Sequence, residues 1–85
     1  MEMSELMRHL SDGLPDEIDG VKRYVEMSRA AAEAGDDCEA AMLKQMAWEE
    51  HTHARHIMHI LGRHGVAYTE HVPAFREAEA MLHAK

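Results

Sequence analysis

Glutamate and histidine at helical spacing are the residues of this chain best suited to chemistry. Glu50 and His53 stand three apart in the run Glu49-Glu50-His51-Thr52-His53-Ala54, and Glu17 lies 33 residues before Glu50. A step of three places Glu50 and His53 on one face of a helix. Carboxylate oxygen together with imidazole nitrogen suits divalent iron or manganese. Unpaired carboxylates among apolar neighbours are costly, so these groups need hydrogen bonds, cations or a metal.

The elements that must position them are helical. Ala, Met, Leu, Glu, Lys and Arg dominate the sequence, and no period-two alternation is sustained. Ser11-Asp12-Gly13 reads as a break and Pro15 as a first-turn residue, with Asp16, Glu17 and Asp19 at the positive end of the helix that follows. That helix is expected over about residues 14–34. Gly35-Asp36-Asp37 reads as a stop and restart, and a second helix is expected over about 37–62, ended by Gly62 and Gly65. Pro73 opens a short third helix, about 73–84, with Phe75, Ala78 and Leu82 on one face. The whole of 1–85 is expected to be one all-α domain, an antiparallel two-helix hairpin with a short C-terminal helix.

Heptad steps give helix 1 the seam Leu14, Glu17, Val21, Tyr24, Ser28, Ala31 and helix 2 the seam Leu43, Met46, Glu50, His53, Ile57, Ile60. A competing seam for helix 2 runs Met42, Met46, Glu49, His53, His56, Ile60 and is less apolar. Glu17 lies 18 residues before Gly35, while Glu50 and His53 lie 15 and 18 residues after it. At roughly 1.5 Å of rise per residue, all three sit about 22–27 Å from the turn, at one level of the hairpin. A lone helical pair has an apolar side left over, and a second copy is the simplest partner for it. Bundles that bind two irons take a Glu from each of two helices and Glu-x-x-His from each of the other two. This chain holds one of each, so a two-fold pair of chains would supply the full set.

These residues carry a resemblance. Glu17, Tyr24 seven residues on, the Ala-rich turn at Gly35 and the Glu49–Ala54 run resemble the first helical pair of the ferritin-like and rubrerythrin-like di-iron proteins, over roughly residues 14–61. With two long helices in place of four, the chain looks like the half-length members, such as encapsulated ferritins, which dimerise into a ferritin-like four-helix bundle. The resemblance implies two irons per dimer, with Glu17 a terminal ligand, Glu50 a bridging one, His53 a nitrogen ligand and Tyr24 hydrogen-bonding a ligand carboxylate. It implies a ferroxidase-type oxidoreductase that binds Fe²⁺ and oxidises it with O₂ or peroxide. Manganese or zinc are substitutes. Rubrerythrin-like peroxide scavenging and a non-catalytic helical metal-binding or interaction module are the alternative readings. No Cys₄ iron centre of the rubrerythrin kind is present, because Cys38 is the sole cysteine.

Other features bound the function. One thiol excludes an intrachain disulfide. A net charge of −7 argues against nucleic-acid partners. No run of about 18 apolar residues is present, so no membrane span is expected. Met1 to Leu10 lacks the pattern of a signal peptide, and the expected location is cytoplasmic. The expected assembly is a homodimer, with higher oligomers open. Seven of the eight histidines lie after residue 40. His51, Arg55 and His59 share a face expected to be wet, and Glu49 with His56 is a candidate secondary metal site. Met42 and Met46 are expected to line the pocket walls. Trp48 is expected at a further subunit contact, and Cys38 as a small residue by a turn.

Overall fold

A computed structural model describes residues 2–84. Helix α1 spans Met3–Glu33 and α2 spans Asp37–Arg63; one turn of 3-10 helix, Thr69–His71, leads into α3, Val72–His83. There is no strand among the described residues. No described helix is long and apolar enough to cross a membrane.

Glycine closes both long helices by the same device. Gly35, at φ +83°, lets the Asp36 amide donate to the Ala31 carbonyl at 2.9 Å and its own amide donate to Ala32 at 3.0 Å. Gly65, at φ +70°, repeats this at the end of α2, with Val66 donating to Leu61 at 2.9 Å. Both left-handed positions favour glycine, which has no Cβ to clash. The Asp36 carboxylate then caps α2 by accepting from the Glu39 amide at 2.9 Å. The hairpin is thereby closed within three residues, and α1 and α2 are held antiparallel.

The expected start of the first helix is corrected. α1 begins at Met3, and Pro15 sits inside it. Proline has no N–H for the Ser11 carbonyl and crowds that turn, a cost of ~3 kcal/mol in a free helix. Tertiary burial opposes that cost here: Met7 is buried in the core and Leu10 packs against it. Each large apolar side chain so buried contributes about 1.5–3 kcal/mol. Helices α2 and α3 lie within a residue or so of their expected bounds.

The core is built from Leu14, Ile18, Val21 and Val25 of α1, Ala47, Ala54, Met58 and Leu61 of α2, and Phe75, Ala78 and Leu82 of α3. The helix 1 seam matches expectation at Leu14, Val21 and Ser28, which are buried. Helix 2 is turned from its expected seam. Fully buried Ala47 and Ala54 make its inner contact, whereas Met46 and Ile60 are exposed and Leu43, Glu50 and Ile57 are half-buried. Alanine carries little side chain, so the helices can approach closely there; Ser28 Oγ also reaches across to donate to the Ala40 carbonyl at 2.7 Å.

Helix α3 covers one side of the pair, held by Lys22 Nζ on Glu77 Oε2 at 3.1 Å and by His51 on Glu79. The opposite side has no third helix. Met27, Met42, Met46 and Ile60 are exposed along it. The chain is a plate with Cα extents of 47 × 25 × 14 Å.

Candidate metal centre

Glu17 on α1 meets Glu50 and His53, one turn apart on α2. His53 Nδ1 lies 3.5 Å from Glu17 Oε2 and 3.8 Å from Glu50 Oε1. One ligand atom from each residue falls within 4.8 Å of the others, and no other group of three or more His, Cys, Asp or Glu side chains gathers in this way among the described residues. The level match read from the hairpin arithmetic is therefore what the backbone delivers. The Glu17 and Glu50 side chains are mostly covered, whereas His53 is 57% exposed on the open face.

Gly20, one turn after Glu17, makes room for this arrangement. A Cβ at Gly20 would stand 2.8 Å from Glu50 Oε2, so only glycine lets that carboxylate lie against α1. Sequence reasoning passed over Gly20. Its signal was a glycine inside a strongly helical run, on the same face as Glu17 and Tyr24, where close approach is the usual reason for it.

The electrostatics are strained in a way that a cation relieves. Burial pushes the Glu50 carboxyl up from 4.5 to about 7, with the adjacent Glu17 carboxylate adding to the effect and His53 and Arg23 opposing it. Glu17 Oε2 is buried and has no hydrogen-bond partner. A buried acceptor in that state is costly. Two things can satisfy the pair: a proton on Glu50, or a metal ion between the carboxylates. The donor set of two carboxylates and one imidazole fits iron, manganese or zinc. Ligand atoms about 2 Å from one ion stand at most about 4 Å apart, and the ligand atoms here, all within 4.8 Å of one another, exceed that by less than an ångström.

Several expected members stand elsewhere. Tyr24 is half-buried against the core. Its hydroxyl makes no hydrogen bond to Glu17 or Glu50 among the described residues. Glu49 and His56 are both exposed and belong to no group of three or more such ligands; Glu49 accepts from Gln45 Nε2 at 3.5 Å. Met42 and Met46 point to the open side instead of lining a closed pocket. Cys38 is exposed near the hairpin turn.

His51 is corrected outright. It is not on a wet face: it is 5% exposed, its Nε2 lies 2.8 Å from Glu79 Oε2, and its ring stacks on Phe75 at 4.9 Å. Trp48 meets the edges of His51 and His83 within the same chain, at 5.5 and 5.2 Å. The cause is α3, which lies over this side of α2 and supplies the partners that satisfy a buried imidazole.

No family model, curated protein or solved structure matches this chain.

Proposed function

We propose that this protein is a ferroxidase-like iron-handling protein of the ferritin-like, rubrerythrin-like kind, working as a homodimer. Two copies would join by their open faces into a four-helix bundle, bringing two Glu17, two Glu50 and two His53 to one level. The pair would take two Fe²⁺ as substrate and oxidise them with O₂ or peroxide. The observation that carries this reading is the buried Glu17 Oε2, which makes no hydrogen bond, beside Glu50 and His53 in the only group of three or more such ligands among the described residues. Four glutamates per dimer balance the charge of two Fe²⁺, which bare apolar burial cannot.

The chain's own residues would do three things. Glu17 and Glu50 bind through oxygen, and deprotonation of Glu50 on binding releases the proton that otherwise stabilises the pair. His53 adds a neutral nitrogen from the open face. Met46, Ile57 and Ile60, beside the ligands on α2, would exclude water once a second copy covers them. Bound iron supplies the electrons that reduce the oxidant.

An anaerobic Fe²⁺ titration, followed by air and optical monitoring, tests the reading. Saturation near one iron per chain, with rapid growth of a ferric band, is expected. Glu50→Ala should abolish that oxidation and leave a helical dimer. Weak, non-saturating binding with oxidation no faster than buffer would overturn the assignment in favour of a non-catalytic helical module.

A further inference from the structure

On the side away from Glu17, Glu50 and His53, α2, the connector after it and α3 border an open groove of about 580 Å³. That volume lies in the range of small-molecule sites, roughly 300–1,000 Å³. Its wall is apolar and fixed: Met58 and Phe75 are buried, Tyr68 is half-buried, and Phe75 is held by its stack on His51. Its rim carries two arginines, Arg55 and Arg76, with His59 beside them, all exposed.

Neither arginine is neutralised. Among the described residues no carboxylate lies within 4.0 Å of Arg55 or Arg76. Lys22 is the only Lys or Arg with such a partner among the described residues, so it is their shared place on one groove that sets Arg55 and Arg76 apart. Glu79 also borders the groove, but its Oε2 is engaged by His51 Nε2 at 2.8 Å. Two unpaired guanidinium groups over an aromatic wall match a ligand that is anionic at one end and flat and apolar at the other.

We propose that this groove binds a small organic anion, with a phosphate, sulfonate or carboxylate head held by Arg55 and Arg76 and an aromatic body laid against Phe75 and Tyr68. The groove uses none of the metal-site residues, so the proposal stands or falls apart from the iron reading.

The test uses 1-naphthyl phosphate with the full chain, metal-free, followed by calorimetry and amide NMR. One molecule per chain is expected, with the largest shifts at Tyr68, Phe75 and Arg76. Arg55→Gln and Arg76→Gln should each weaken binding about tenfold, the effect of losing one charge-assisted contact. Arg29→Gln, at the far end of α1 near the hairpin turn, should leave it unchanged. Inorganic phosphate and 1-naphthol, each carrying half of the ligand's chemistry, should bind at least about tenfold more weakly. Wild-type affinity in both groove variants overturns the site. An equal loss in Arg29→Gln reduces it to diffuse charge attraction, and inorganic phosphate binding as tightly as the probe overturns the aromatic half.

Discussion

Gly20 decides how far Glu50 can reach. Alanine in a helix interior is favoured over glycine by about 1 kcal/mol, so Gly20→Ala should keep or raise the stability of the metal-free chain. The new methyl would meet Glu50 Oε2 at 2.8 Å and push the carboxylate off α1. Iron affinity is therefore expected to fall while the melting point holds or climbs. Calorimetric binding and thermal melts on one sample separate the two, and equal loss of both would mean the glycine is merely structural. Glu50 has a pH signature as well. Its pKa is lifted from 4.5 to about 7 in the fold, so the folded chain holds that proton more tightly than the unfolded chain does. Its contribution is greatest below about 4.5, is lost as pH rises to about 7, and is level beyond. Glu50→Gln, neutral throughout, should flatten this component, which melts of both proteins between about pH 4 and 8 would reveal.

At the scale of elements, α3 is held by its apolar face, by Lys22 on Glu77 and by one buried imidazole, His51, on Glu79. Glu79→Ala would leave His51 Nε2 unsatisfied beneath Phe75. A loss of about 1–3 kcal/mol is expected, lowering the melting point by roughly 4–24 °C. A smaller shift would show that water replaces the carboxylate. The same element explains what was and was not legible in the sequence. Rise per residue and the turn at Gly35 placed Glu17, Glu50 and His53 at one level, because that arithmetic needs only two helices and a short connection. The position of α3 over α2 follows from no periodicity, so His51, a polar residue, read as wet. Pro15 and Gly13 read as punctuation because local preference opposes helix there. The burial of Met7, which overrides that preference, is a tertiary fact. The alanines of α2 misled in the opposite sense. Large apolar residues read as the seam, but Ala47 and Ala54 take the inner contact and turn Met46 and Ile60 outward.

For the whole molecule, that rotation leaves apolar side chains on the side that carries His53. Pairing of two copies across this side is proposed, and it has a direct check. Met46 is 39% exposed in the single chain, so Met46→Glu should leave the hairpin folded. It should also split the proposed dimer, seen as a halved mass in sedimentation with unchanged helical circular dichroism. Fast iron oxidation should disappear with the dimer. Retention of the dimer would move the interface elsewhere.

The plate is 14 Å thick between Cα extremes. His53 is already open to solvent in one copy. In the proposed pair, ions therefore need no pore to arrive: they can load on an uncovered plate before the second closes over it. The residence time of anything trapped between the plates would then be the lifetime of the pair. Dilution would act as a release signal, and protein concentration would set the tempo of turnover.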